Sequence, residues 1–272
     1  MYAASVIAKL TAFVRTLALL VALPMFGCAL GCASAMPTYA GGSTTPQYRA
    51  DVALGGAVRL PTGALKSIEL DGLPNGYRRA GEAGGVVPAA MVRYGVARDW
   101  DLGVVWAGTT GRLDVRKERR VQEGIDQRVW LFSIAPYAGW IGNEDASGKG
   151  YRVGLDAPIL YAAEIGGLYE FWIGPRFGAE YAAGDFAFGD VSAGGAAAGG
   201  AAAGGAGAAR VNMSAWVLKS GATLGMALGF RRIHAIIELT AAWEQCFGTQ
   251  RGESLRRGGM VLTPAFAMRV RL

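Results

Sequence analysis

The sequence predicts an all-β chain, an antiparallel meander closed into a transmembrane β-barrel of 8–10 strands, with ten as the preferred count. Three observations carry this. The last eleven residues, Leu262 to Leu272 (LTPAFAMRVRL), alternate strictly: Leu262, Pro264, Phe266, Met268, Val270 and Leu272 share one face, and Thr263, Ala265, Ala267, Arg269 and Arg271 the other. That period of two marks a strand with one apolar and one polar side. Similar alternation recurs along the chain, and hydrophobic residues make up 52% of it. Yet no uncharged apolar run of about 20 residues, the length of a membrane-spanning helix, occurs after residue 35. A barrel with an apolar outside gives this combination, because its apolar residues sit at alternate positions. A large soluble β-sandwich is the competing architecture, but 42 glycines suit curved barrel strands better.

The N-terminus reads as an export signal. Lys9 and Arg15 supply its basic part, and Thr16 to Ala29 (TLALLVALPMFGCA) its apolar core, too short and too proline-interrupted to span. Two processing sites follow. Ala29-Leu30-Gly31-Cys32 resembles a lipobox, which makes Cys32 a candidate for acylation after removal of residues 1–31. Ala33-Ser34-Ala35 is an A-x-A site for signal peptidase I, which extends the signal to residue 35. The sequence leaves both open. Residues 32–46 then read as a periplasmic linker and residues 47–272 as the barrel. Losing Lys9 and Arg15 lowers the net charge from +6 to +4. A charge so mild and unclustered gives no argument for nucleic acid. With Cys28 and Cys32 in the signal region, Cys246 is alone, so neither an internal disulfide nor a cysteine metal site is expected. No cofactor is expected.

Nine segments alternate. In 48–60, Tyr48, Val52, Leu54, Val58 and Leu60 oppose Arg49, Asp51 and Arg59. In 86–97, Val92, Tyr94 and Val96 oppose Met91 and Arg93; in 101–111, Leu102, Val104 and Trp106 oppose Asp101 and Thr109. In 128–141, Trp130, Phe132, Ile134 and Trp140 oppose Ser133, Ala135 and Tyr137. Ile159, Tyr161 and Ile165 oppose Asp156 and Glu164 in 155–168, and Phe171, Ile173, Phe177 and Tyr181 oppose Arg176 and Glu180 in 171–183. Trp216, Leu224, Met226 and Leu228 oppose Lys219 and Thr223 in 211–230. Ile233, Ile237, Leu239 and Trp243 oppose His234, Glu238, Thr240 and Glu244 in 233–247. The closing strand is the ninth. Single-chain barrels have even strand numbers, so a tenth strand is expected between Trp140 and Pro158, at Tyr151-Arg152-Val153-Gly154.

Tight, aromatic-flanked turns at 97–100, 168–171 and 230–233 alternate with polar segments at 61–85, 113–127 and 185–210. Short turns at one end and long loops at the other is a barrel pattern. Residues 193–209 (AGGAAAGGAAAGGAGAA) read as a Gly/Ala-rich loop insertion, and without GxxxxGK[ST] they are no phosphate loop. The closing strand and the hairpin Arg93 to Val104 (RYGVARDWDLGV) together resemble bacterial outer-membrane β-barrel proteins of uncharacterised function, although Leu272 stands where those chains usually end in Phe or Trp. The resemblance is one of architecture over residues 48–272. It implies a Gram-negative outer-membrane location, membrane lipid as surroundings and the barrel-assembly machinery as a partner during insertion.

The inward faces carry balanced charge. Arg49, Arg59, Arg93, Arg176, Lys219, Arg269 and Arg271 stand against Asp51, Asp101, Asp156, Glu164, Glu180, Glu238 and Glu244. Eight to ten strands leave an interior that side chains fill, and buried charges need partners. A lumen network of these residues is expected, with Glu180 as a partner of Arg176. His234 is the sole histidine, read as a member of that network. Trp100, Trp140, Tyr169, Trp172, Trp243 and Tyr48 read as rings at the membrane interface.

Three functional readings follow. The first is an outer-membrane barrel with an occluded, charge-filled lumen and a structural or small-solute role, not an enzyme. The second is a lipid-modifying barrel enzyme, for which His234 alone speaks; no serine nucleophile shares its face, since Ser220 lies on the opposite side of the neighbouring strand. The third is a soluble, lipocalin-like binding barrel.

Overall fold

The computed structural model of the chain describes residues 36–62, 87–124, 126–142, 148–187, 210–230, 232–250 and 253–272. Its strands, in chain order, are β1 (Ala50–Ala57), β2 (Leu60–Pro61), β3 (Val87–Ala97), β4 (Trp100–Ala107), β5 (Thr110–Gln122), β6 (Asp126–Gly142), β7 (Gly148–Ile165), β8 (Tyr169–Ala187), β9 (Arg210–Phe230), β10 (Ile233–Gln250) and β11 (Glu253–Arg271). Every pairing is antiparallel and joins sequence neighbours, apart from the seam where β1 pairs with β11 from Asp51↔Arg271 to Ala57↔Ala265. The two-residue β2 continues β1 along the same neighbour, through Leu60↔Leu262. The result is a closed ten-strand meander, the expected fold class and preferred count. Closure pairs the first strand with the last, so neither is left as an open edge along the seam.

The tenth strand is not where the sequence placed it. Tyr151 to Gly154 belong to β7, the continuous strand Gly148–Ile165 that also contains the expected segment from Leu155. The missing strand is β5, Thr110–Gln122, most of which had read as a polar loop over 113–127. Its alternation is intact: Arg112, Asp114, Arg116 and Glu118 are buried inside, while Leu113 and Lys117 are exposed outside. Charge on the inner face, together with Lys117 and Arg119 on the outer, hides the period of two.

Elsewhere register is set by that period, since a slip of one residue would invert a whole strand. Trp216, Leu224, Leu239, Phe266, Met268 and Val270 point outward and Arg93, Arg176, Glu180, Glu238 and Arg269 inward, as expected. Trp172 is the exception among the expected interface rings: it is fully buried inside the barrel. It lies opposite Gly225 on β9, where a Cβ would overlap the indole. A ring of that size has room in a ten-strand lumen only because the facing residue has no side chain.

The turns at one end are all short: 97–100, 122–126, 165–169 and 230–233. Asp99 in the first adopts φ 65°, and Gly166 and Gly167 in the third adopt φ 59° and 68°. The opposite end has a tight turn between β4 and β5 and also the connections 63–86 and 188–209. Those connections, including the Gly/Ala-rich run, lie outside the described residues, as do residues 1–35.

The Trp172–Gly225 fit gives a test of core packing. Gly225→Val should displace the indole and cost about 1–3 kcal/mol, the usual penalty for overpacking. The measurement is the urea midpoint of the purified protein; an unchanged midpoint would show that the indole has another place to go.

Candidate functional site

The site is the lumen, and its largest surprise is what occupies it. The expected linker, residues 32–46, is a linker in none of its described part. From Pro46 at the short-turn end the chain runs back inside the barrel to Met36, with Met36 through Gly42, Thr44 and Thr45 all buried. The segment PTYAGGSTT has little hydrophobic bulk. Its backbone and hydroxyl groups supply hydrogen bonds instead, as a segment must when it enters a space lined with charge.

Each rung of this segment is held by a wall residue. Asp101 on β4 accepts from the Thr45 amide at 2.8 Å, and the Thr45 hydroxyl reaches Asp51 on β1 at 3.2 Å. Glu118 on β5 accepts from both the amide and the hydroxyl of Thr44, each at 2.8 Å. Glu170 on β8 accepts from the Gly42 amide at 2.7 Å. Glu238 on β10 accepts three bonds: from the Thr38 amide and hydroxyl, each at 2.6 Å, and from the Tyr39 amide at 2.9 Å. Cations hold the carbonyls in turn. Arg116 donates to Ala40, Arg93 to Thr38 at 2.9 Å, and Arg176 to Met36 at 2.8 Å. Glycine is required at one point of the path. Gly41 has φ 78°, and a Cβ there would strike the Arg269 guanidinium and the Glu170 carboxylate.

Around the segment the wall charges form three groups. The largest is an alternating chain across β3, β4, β5, β7 and β8. Arg116 pairs with Asp101, Asp101 with Arg93 at 3.7 Å, and Arg93 with Asp114 at 2.6 Å. Asp114 then meets Arg112 at 3.6 Å, Arg112 meets Asp156 at 3.4 Å, and Asp156 meets Arg176 at 2.5 Å. A second group nearer the loop end joins Arg59 to Glu244 at 2.5 Å and Lys219 to Glu180 at 2.8 Å, with Lys219 4.0 Å from Glu244. Tyr137 donates to Glu180 at 2.8 Å. The third, near the short turns, centres on Glu170, which pairs with Arg269 and with Arg271 at 2.9 Å; Arg271 also approaches Glu164 at 3.5 Å. His234 is buried there, Nε2 3.6 Å from Glu170.

Thus Asp51, Arg59, Arg93, Asp101, Asp156, Glu164, Arg176, Glu180, Lys219, His234, Glu238, Glu244, Arg269 and Arg271 all line the lumen. Arg49 does not: it precedes β1 and is exposed at the short-turn end. Its partner assignment also fails for Arg176, which is bound to Asp156 rather than Glu180. Residues four apart on one strand are about 13 Å apart, too far to pair, whereas Asp156 is on the neighbouring strand. Cys32 lies outside the described residues. The charges that sequence reasoning missed are Arg112, Asp114, Arg116 and Glu118 on β5, Arg152 on β7 and Glu170 on β8, all buried. The first four alternate in RLDVRKE, but Lys117 and Arg119 on the outer face hide that period. Glu170 was hidden because it had been assigned to a turn.

Beside Met36 a cavity of about 50 Å³ remains, bordered by Tyr137, Asp156, Arg176, Lys219, Thr240 and Glu244. That is room for a few waters. No group of His, Cys, Asp and Glu side chains with the geometry of a metal site occurs among the described residues. No protein-family model and no curated protein sequence matches the chain.

Glu238 makes a sharp test of this arrangement. Hydrogen bonds to charged groups contribute about 1.5–3 kcal/mol each. Glu238→Ala should therefore release the Thr38 and Tyr39 amides, and their hydrogen exchange should accelerate roughly 100-fold or more. Equal protection in wild type and variant would mean that the segment is held by other contacts.

Proposed function

We propose that the chain is a bacterial outer-membrane β-barrel protein with an occluded lumen, serving a structural or small-solute role. The observation that carries the membrane reading is the pattern on the outer wall. On β6, Trp130 and Trp140 bracket Phe132, Ile134, Pro136 and Ala138, all exposed to the outside. Ten residues of strand rise about 33 Å, which becomes roughly 24 Å along the axis of a barrel tilted by 45°. The apolar band of an outer-membrane barrel is about 25 Å tall, with aromatic girdles at both edges. Neighbouring strands extend both girdles. Trp130 meets Tyr161 with ring centroids 5.4 Å apart near the short turns, and Tyr181 meets Trp216 at 5.1 Å nearer the loops. Between them lie Ile173, Leu224 and Leu239 in one cross-strand row. A soluble binding barrel would place polar residues on this wall and its apolar ones inside.

The occlusion reading rests on the buried segment 36–45 and the ion pairs around it. Wide aqueous channels need about 16 strands, and ten strands holding an internal polypeptide leave little water-filled cross-section. We assign no catalysis to His234. It is enclosed by the wall beside Glu170 and Arg269, whereas a lipid-hydrolysing group must reach the bilayer.

Envelope fractionation with heat-modifiable gel migration tests location directly, and recovery in the soluble fraction would favour the binding barrel. A substitution separates the two as well. Leu224→Arg should cost about 2–4 kcal/mol near a bilayer midplane. On a water-facing wall it should stay within about ±0.5 kcal/mol.

Planar bilayers test occlusion. The unmodified protein should give little steady conductance. Deleting residues 36–45, or the milder Glu238→Ala, should raise it. Large porin-like conductance in the unmodified protein would overturn the reading and recast the wall charges as a selectivity lining.

A further inference from the structure

We propose that the outer wall over β3, β4 and β5 is a binding site for an anionic phospholipid, with an acyl chain in an apolar groove and the phosphate on Lys117 and Arg119. The inference rests on the membrane reading above and adds to it a particular place on the wall and a headgroup charge.

The groove has a volume of about 280 Å³ and an almost wholly apolar lining. Tyr94 and Leu102 border it toward the short turns, Trp106 borders it toward the loops, and Ala90, Val92 and Val104 lie between. All six belong to the outward set of their strands. The Trp106 indole lies against Gly111 on β5, where a Cβ would be 3.4 Å from the ring. The residue opposite Trp106 on β3 is only Ala90. Between the two aromatic borders the wall therefore carries short side chains over four residues of strand, roughly 13 Å. A straight hydrocarbon chain fits a trough of that shape.

Cations stand directly below the groove. Trp100 is the next outward residue of β4 past Leu102, about 7 Å nearer the short turn. Its partner on β5 is Lys117, whose ammonium is 5.2 Å from the centroid of the Trp100 ring. Arg119, the next outward residue of β5, is opposite Trp130 of the aromatic girdle. On β6, Arg128 also faces outward, with Asp126 two residues from it. Among the described residues, neither Lys117 nor Arg119 forms an ion pair. Corresponding outward positions across the barrel are apolar, as at Phe171, Leu228, Ile233 and Val270. The cationic side of the wall is thus the side with the groove.

The chemistry of the ligand follows from this arrangement. Long stems carry a lysine and an arginine to the headgroup level, where the anion within reach is a phosphate diester. A guanidinium can hold two of its oxygens. The single strand step between Lys117 and the lower border of the groove leaves room for the glycerol ester that joins phosphate to acyl chain. Three cations against Asp126 favour a headgroup without an ammonium of its own. Short turns face the periplasm in such barrels, so the lipid belongs to the periplasmic leaflet.

The test titrates the full chain, purified from membranes in a non-ionic detergent, with phosphatidylglycerol or phosphatidylcholine and reads retained lipid by native mass spectrometry. Phosphatidylglycerol should be held about fivefold or more tightly than phosphatidylcholine, and Lys117→Gln or Arg119→Gln should each cost about fivefold, the contribution of one cation at an anionic surface. Ala90→Phe should fill the groove and weaken both lipids while leaving heat-modifiable migration unchanged. Arg232→Gln, at an exposed position in another turn, should leave retention as it is. Equal retention of the two lipids, or a loss at Arg232→Gln as large as at Lys117→Gln, would overturn the proposal. So would a lipid-free dimer that Ala90→Phe dissociates. Any of these results with a protein recovered from the membrane fraction leaves the membrane reading standing. Recovery of the protein in the soluble fraction sinks that reading, and the lipid site with it.

Discussion

The constraint on which the rest of the structure depends is that a ten-strand wall with an apolar outside turns its polar residues inward, where most of its charges are buried. An isolated charge in such a place costs several kcal/mol, so each carboxylate needs donors and each guanidinium needs acceptors. Pairing across neighbouring strands meets most of this demand. The chain from Arg116 through Asp101, Arg93, Asp114, Arg112 and Asp156 to Arg176 alternates sign at every step. Glu238 stands apart from it and is satisfied by the Thr38 and Tyr39 amides and the Thr38 hydroxyl, while Glu118 gives one oxygen to Thr44 and the other to Arg120 and Gln127. The segment is therefore part of the charge balance and not merely a filler.

Composition fits that role. A segment with acidic residues would repel Glu118, Glu170 and Glu238, and one without hydroxyls would lose the Thr38 and Thr44 side-chain donations to Glu238 and Glu118. Pro37 to Thr45 offers small residues, hydroxyls and free amides, and two glycines where it passes between Glu170 and Arg269. Carbonyls along the same stretch answer Arg93, Arg116 and Arg176. One short polypeptide thus supplies donors to anions and acceptors to cations at alternate steps, which a side-chain network alone would need many more residues to achieve.

Much of the wall was legible from sequence because period two is a local property. Wherever one face was apolar and the other charged, as in Ile233–Trp243 or Leu262–Leu272, orientation followed directly. It failed where both faces carried charge. On β5, Lys117 and Arg119 outside mask Arg112, Asp114, Arg116 and Glu118 inside, so a strand read as a loop. Trp172 lies between the outward Phe171 and Ile173, so period two already turned it inward; nearness to a turn was the misleading cue, and Gly225 opposite it supplies the room. One further feature depends on tertiary context and has no local signal. The internal segment reads as a linker because nothing in PTYAGGSTT marks it as buried; its partners are up to 227 residues away, as for Tyr39 and Phe266.

The same segment bears on how the barrel closes. The seam joins the first strand to the last, β1 to β11, and non-local pairings of that kind carry the largest loop-closure cost in the fold. The Tyr39 hydroxyl sits at this seam, 3.3 Å from the Gly56 carbonyl on β1 and 3.0 Å from the Phe266 carbonyl on β11. Gly56 and Phe266 are themselves partners across the seam. Glu238, which holds the Tyr39 amide, is on β10, the other neighbour of β11. The segment just before β1 therefore touches both sides of the closure and the strand behind it. Tyr39 is thus bound to both strands of the seam and to the strand behind it, so loosening its hold on Glu238 would remove support from the closure itself.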